Sequence, residues 1–427
     1  MSILNDTADF HPTVSQKIGQ RRGLTSICSA HLWVLQAAAQ QALEDGAPLL
    51  VESTSNQVNQ FGGYTGMTPA DFTRFVRQIT AQNGLPTGRL ILGGDHLGPS
   101  PWQHEPAESA MRKAGELVQA CIHAGYVKIH LDASMKLADD PSGPLSLEIC
   151  AQRAAWLAKA AEAAVTEGCA PRYVIGSEVP IPGGAQSHEE GLRVTTVESV
   201  RETIEITRKA FFHEGLESAW KRVLAVVVQP GVEYGDDFVV EFNPAAARDL
   251  SHFIELQPNL VYEAHSTDYQ TPKALRQLVE GHFAILKVGP GLTFAFREAV
   301  FSLAIMENEF IPPEERSNLV EVLDEVMRQH PEHWQKHYRG DEAAQRFARK
   351  YSLSDRARYY WPDVRVQEAI EKLLVNLSSG PLPLSLLSQY APDQYIRIRE
   401  GELLNAPEDI LFDHIRRILR YYGQACM

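Results

Sequence analysis

The 427-residue sequence is short of several features that would have settled its class at once. Positive charge is in deficit: 40 lysines and arginines stand against 54 acids, a net charge of −14. A surface that holds nucleic-acid phosphates needs clustered cations, so a nucleic-acid partner is not expected. Cysteine is scarce, with Cys28, Cys121, Cys150, Cys169 and Cys426 and no CxxC spacing. That argues against a disulfide framework or a zinc knuckle and for reduced thiols. No apolar run approaches membrane-spanning length, and the first residues are polar (Asn5, Asp6, Asp9) without an apolar signal core. The expectation is a soluble, cytoplasmic protein with no membrane partner. Nucleotide signatures are missing as well: no GxGxxG opens a helix after a strand, and no GxxxxGKS/T occurs. Neither a nicotinamide nor a nucleotide cofactor is therefore expected.

What is present is an ordinary globular composition, 44% hydrophobic and 22% charged, in a chain long enough to bury a large core. Short apolar runs alternate with helix formers. The runs begin at residues 24, 49, 90, 127, 173, 223, 260 and 283. Helical stretches are expected over about 32–43, 107–124, 147–167, 197–214, 244–256, 272–280 and 293–307. Thr68-Pro69-Ala70-Asp71 reads as a helix N-cap with proline at the first helical position. The strands are almost continuously apolar rather than alternating, as parallel strands covered on both faces must be. Eight βα units over roughly residues 24–307 predict an α/β fold, a (β/α)8 TIM barrel. Residues 1–307 would form the barrel with its lead-in. Residues 308–427, with Pro312-Pro313, aromatic pairs and helical periods over 364–377 and 409–422, would form a helical C-terminal extension. It would pack on the barrel or on a neighbouring copy in a homo-oligomer.

In such barrels the chemistry sits where strands end. Here those ends carry titratable and amide groups: Glu52 with Gln57, Asn59 and Gln60, then Asp95-His96, His130, Asp132 and Ser134. Glu178, Gln229, Glu263, His265-Ser266-Thr267-Asp268 and Lys287 continue the series. Any one of them, such as Glu52 or His130, is readily explained as hydrogen-bonded structure. A carboxylate or imidazole at nearly every strand end is not, because burying such groups without a use is costly. His96, Glu178 and His265 suit a catalytic Zn²⁺ or similar divalent ion. Asp95, beside a ligand, is placed to move a proton, and Glu178 is a second catalytic candidate. Gln57, Asn59, Gln60, Asp132, Ser134, Gln229, Asp268 and Lys287 would bind sugar hydroxyls. Ser266, Thr267 and the glycines Gly289 and Gly291 would receive a phosphate. The set points to a small, oxygen-rich, phosphorylated sugar.

Long motifs carry a resemblance over nearly the whole chain. They are ESTSNQVNQFGGYTGMTPADF (52–72), GGDHLGP (93–99), KIHLDAS (128–134), VIGSEVP (174–180), VQPG (228–231), YEAHSTDYQ (262–270) and FAILKVGP (283–290). YSLSDR (351–356) and RYYWP (358–362) extend it into the tail. The chain resembles the large Z subunits associated with bacterial class II tagatose-1,6-bisphosphate aldolase. The resemblance implies one of two functions. One is a D-tagatose 6-phosphate 4-epimerase, an isomerase forming D-fructose 6-phosphate in galactitol- and tagatose-type carbohydrate catabolism. The other is a non-catalytic Z subunit that stabilises a separate aldolase chain. Class II aldolases also end a strand in Asp-His, but they carry a further zinc-binding histidine on the strand that here reads 226–231 and has none.

Overall fold

The computed structural model describes residues 12–166, 170–176 and 192–427. Eight parallel strands close on themselves: β1 Leu24–Ile27, β2 Leu49–Thr54, β3 Leu90–Leu97, β4 Lys128–Leu131, β5 Arg172–Ile175, β6 Val223–Val227, β7 Val261–Ala264 and β8 Phe283–Val288. β8 pairs with β1, with Ser26 opposite Lys287, and this seals the barrel. The fold is the (β/α)8 barrel with a helical extension that the apolar runs imply. The helix at residue 69 begins as read: Thr68 and Asp71 cap each other reciprocally, and Pro69 needs no N–H where none would be bonded. The helix expected over 244–256 is shorter, Arg248–Glu255, because residues 233–240 first form a small antiparallel ribbon and residues 244–247 a turn.

The lead-in is more than a loose end. Its helix, Pro12–Lys17, is tied to the start of β6 by Thr13 Oγ1, which donates to the carbonyl of Leu224 at 3.2 Å. Val174, Val227, Val261 and Ile285 belong to a small apolar cluster separate from the main core. The register sets Val174 beside His130 and Val227 beside Glu263.

The segment after the barrel is wrapped onto it. Helix Pro290–Phe310 is buried around most of its circumference, with Leu292, Phe296, Val300 and Leu303 on one covered face and Ile305 and Phe310 left exposed. Helix Pro407–Cys426 packs on that helix and on helices Leu32–Asp45 and Pro272–Glu280. Its Tyr422 hydroxyl donates to the carbonyl of Thr267 at 2.7 Å, beside the end of β7. Trp361 is fully buried, its ring 5.0 Å from that of Phe296. Among the described residues no helix is long and apolar enough to cross a membrane.

Candidate active site at the barrel mouth

The site is built on alternation. Residues two apart on a strand face the same side, so Lys128, His130 and Asp132 rise through the barrel interior at successive levels. Glu263 and His265 do the same on β7. At the lower level Lys128 Nζ lies 2.5 Å from Glu52 Oε1 and 2.7 Å from Glu263 Oε2. These are ion pairs by distance, without the alignment of good hydrogen bonds. Lys287 Nζ bonds Glu52 Oε2 and lies 2.9 Å from Asp95 Oδ1 and 3.5 Å from Glu263 Oε1. Burial weakens the hold of Lys287 on its proton, toward a pKa of about 8. Three carboxylates at the same nitrogen nevertheless favour its charged form at neutral pH.

Asp95 and His96 are neighbours, and a regular strand would send them to opposite faces. The β3–β4 register shifts between Gly94 and Leu97, and His96 adopts a left-handed φ of 47°. This bulge turns both side chains into the mouth. It stores backbone strain of the kind tolerated where function needs it. Gly98 closes the bend under Asp132, whose carbonyl oxygen leaves no room for a side chain there.

Three imidazoles meet above the lysines. His96 Nδ1 lies 3.0 Å from Asp132 Oδ2, and His265 Nε2 lies 2.9 Å from Glu263 Oε1. Each carboxylate fixes an N–H on the far nitrogen, so the near nitrogens turn lone pairs toward one another, 3.1 Å apart. Two facing lone pairs repel unless a proton or a cation stands between them. His130 Nδ1 lies 3.0 Å from Asp95 Oδ1, and its buried Nε2 has no hydrogen-bond partner among the described residues. One donor atom from each of Asp95, His96, His130 and His265 falls within 4.8 Å of the others. Neighbouring ligands on a tetrahedral ion sit about 3.3 Å apart when each is about 2.0–2.1 Å from it. The donor chemistry, the spacing and the orphaned Nε2 all fit a divalent ion. The three imidazoles are the residues that could hold it, with the Asp95 carboxylate beside them.

Without metal, the His96–His265 contact calls for a proton. Burial disfavours charge on His96, but Asp95 and Asp132 outweigh it and raise its pKa to about 9, while burial lowers that of His265. Burial also opposes charge on Asp95, yet the surrounding imidazoles hold its carboxyl well below the usual range. A group whose folded pKa is raised stabilises the fold fully below its unfolded value, and that contribution is lost as pH rises through the folded value. Metal-free protein should therefore lose stability between pH 6.5 and about 9. Divalent-metal affinity should rise over the same interval as His96 gives up its proton. Denaturant titrations of chelator-treated protein and metal titrations across that range check both, and a flat metal affinity would contradict the assignment.

The residues singled out in the sequence have different fates. Asp95, His96, Asp132, His265, Ser266, Asp268, Gln57 and Lys287 line one open cavity of about 190 Å³. Ser134 supports Asp132, its hydroxyl donating to Oδ1 at 2.7 Å. Glu178 lies outside the described residues. Asn59 is used within its loop, accepting the N–H of Phe61 at 2.9 Å, and Gln60 donates to the carbonyl of Lys113. Gln229 accepts the N–H groups of Gly231 and Val232. Thr267 is buried and donates to the carbonyl of Lys287. The cradle expected for a phosphate is filled from within: Asp268 Oδ1 accepts the N–H of Gly289 at 2.9 Å and of Gly291 at 2.7 Å. Sequence reasoning placed His130 among the structural candidates and passed over Lys128. The two-residue spacing of Lys128, His130 and Asp132 was the available signal. Cys28 was not singled out either. Its Sγ lies 3.5 Å from Asp95 Oδ2, and burial pushes the thiol up to about 12, so it stays protonated.

Residues 11–427 match the model of the family described as D-tagatose-1,6-bisphosphate aldolase subunit GatZ/KbaZ-like. A crystal structure from Sinorhizobium meliloti, described as a probable tagatose 6 phosphate kinase, is 45% identical with a TM-score of 0.88. The match covers 95% of this chain and 100% of that one. Fructose-bisphosphate aldolase from Campylobacter jejuni is 12% identical, TM-score 0.46, over 85% of this chain and 92% of its own. The YdjI aldolase from Escherichia coli K12 is 10% identical, TM-score 0.43, over 81% and 93% respectively.

Proposed function

This chain belongs to the D-tagatose-1,6-bisphosphate aldolase subunit GatZ/KbaZ-like family, and from that premise we propose that it is a metal-dependent D-tagatose 6-phosphate 4-epimerase. The observation that carries the proposal is the convergence of His96, His130, His265 and Asp95 at one buried point of the cavity floor. A scaffold has no need of an orphaned imidazole nitrogen and two opposed lone pairs. The divalent ion, with zinc the natural choice for imidazole donors, would supply Lewis-acid stabilisation of negative charge on the ketose oxygens.

The C4 hydrogen of a 2-ketose is not adjacent to the carbonyl and is not acidic, so direct abstraction is unattractive. In the proposed route Asp95 accepts the proton of the 4-hydroxyl as the C3–C4 bond breaks. The bonding pair passes to C3, leaving the enediolate of dihydroxyacetone, and C4 becomes the aldehyde of glyceraldehyde 3-phosphate. Rotation of the aldehyde and re-addition invert C4, and Asp95 returns the proton. Lys287, whose ammonium lies 2.9 Å from Asp95, keeps that carboxylate ionised between turns. Asp132 and Glu263 hold the tautomers of His96 and His265, the supporting role that carboxylates play behind ligating imidazoles. Phosphoryl transfer, the activity in the description of the Sinorhizobium relative, finds no GxxxxGKS/T loop in this sequence.

The test is to purify the chain alone, load it with Zn²⁺ or Mn²⁺, and follow D-tagatose 6-phosphate by NMR. D-Fructose 6-phosphate should accumulate to equilibrium without an added aldolase subunit. No turnover alone, combined with a rise in the thermal stability of a class II aldolase on mixing, would favour the stabilising-subunit role that the family description also allows.

A further inference from the structure

The cavity is rich in negative charge: Asp95, Asp132 and Asp268 all line it. A sugar phosphate would enter against that field unless a cation is reserved for it. Two cations reach the lining, Lys287 and Arg358. Lys287 is neutralised by Glu52, Asp95 and Glu263. Arg358 comes from beyond the barrel, and among the described residues no carboxylate lies within ion-pairing distance of it. Its Nη1 donates to the carbonyls of Ser354 and Asp355, and its Nη2 donates to the Tyr359 hydroxyl at 2.9 Å. Among the described residues Nε–H and the second Nη2–H have no acceptor, which leaves them for a ligand.

The arginine is also held in place. It follows Asp355, which is buried in a left-handed conformation with φ of 45° and paired with Arg297 and the Thr293 hydroxyl. Arg297 and Thr293 belong to helix Pro290–Phe310, so the turn Arg356–Tyr359 is pinned to the barrel wall. The guanidinium rests on the Tyr359 ring, 4.5 Å from its centroid, and Tyr64 from the loop after β2 meets that ring edge-on at 4.9 Å. The usual barrel cradle at Gly289 and Gly291 is occupied by the carboxylate of Asp268, which repels an anion.

We infer that Arg358 is the anchor for the substrate's phosphate, placing the anion site of this barrel on the tail rather than on the loop after β8. The inference rests on the reading of the substrate as a phosphorylated ketose. It makes Arg358 a binding and specificity residue, not a catalytic one. An arginine that makes charge-assisted bonds to a phosphate is worth about 30- to 100-fold in affinity.

Isothermal titration of the zinc-loaded full chain with D-fructose 6-phosphate, D-fructose and inorganic phosphate tests it. Wild-type protein should prefer the phosphorylated sugar. Arg358→Gln should lower D-fructose 6-phosphate affinity by about 30- to 100-fold and leave D-fructose affinity unchanged. Arg358→Lys keeps the charge without the planar fork and should fall between the two. Wild-type protein that binds both sugars equally, or neither, overturns the inference, as does an unchanged preference in Arg358→Gln. Should the Gln variant fail to give a wild-type thermal melt, full D-fructose 6-phosphate affinity in Arg358→Lys overturns it instead. A phosphate preference that survives in protein without turnover removes the epimerase reading and leaves the anion site standing.

Discussion

Replacing His96 by alanine is expected to abolish tight divalent-metal binding and turnover together, with metal affinity falling by more than about 100-fold. Residues that only support metal ligands are worth about 10- to 100-fold, and His96 is placed to be a ligand itself. Its Nε2 faces His265 Nδ1 at 3.1 Å, and its Nδ1 is held by Asp132. Alanine removes one of three converging nitrogens and leaves Asp132 buried with Ser134 as its remaining side-chain partner. Because position 96 sits at φ 47°, alanine also adds backbone strain unrelated to the ion. His96→Asn separates the two effects, since asparagine tolerates that region: it should melt closer to wild type yet bind no more metal than the alanine variant. Elemental analysis after dialysis, alongside the NMR assay, reads the outcome. Retained metal and full activity in either variant would remove His96 from the site.

The second large effect is on stability. Lys128→Met should destabilise the fold by about 3–5 kcal/mol, the usual loss when one partner of a buried ion pair is removed. Lys128 lies between Glu52 and Glu263, both fully buried. Without it, Lys287 is the one lysine facing both carboxylates and Asp95. Methionine fills much of the volume, so little of the loss would come from a cavity. Lys128→Met combined with Glu263→Gln should recover part of the loss, because the uncompensated charge is then reduced. Urea denaturation midpoints decide it: a shift in the single variant worth less than about 0.5 kcal/mol, the scale of ordinary surface substitutions, would show that the lower charge layer is solvated or protonated.

The barrel was legible because its signal is local and repeated. Runs such as 223–229 and 283–288 are apolar on both faces, and each is followed by a helical period. Asp95 and His265 were legible as strand ends. The pairings were not, since a sequence does not show which carboxylate meets which imidazole across the barrel. Strict alternation would also have excluded Asp95 and His96 from one site, and only the bulge permits both. The local bonds of the amides were not legible either: Asn59 and Gln229 accept backbone N–H groups of their own loops. Arg358 lay in a motif that marked the family without revealing its place. The path of the tail over the barrel depends on packing such as Trp361 against Phe296, which no local pattern encodes.

The way the tail is stitched to the barrel bears on how the protein is made. Gly23, just before β1, donates its N–H to the carbonyl of Cys426, so the first barrel strand finds a neighbour some four hundred residues later. Contacts that distant in sequence are slow to form and cannot form while the intervening chain is still being synthesised. On the ribosome the strands carrying Asp95, His130 and His265 emerge before Arg358 and Tyr422. The residues proposed to hold the ion are therefore all synthesised while the proposed phosphate anchor is still to come. A chain stalled at that stage would lack the proposed grip on its substrate.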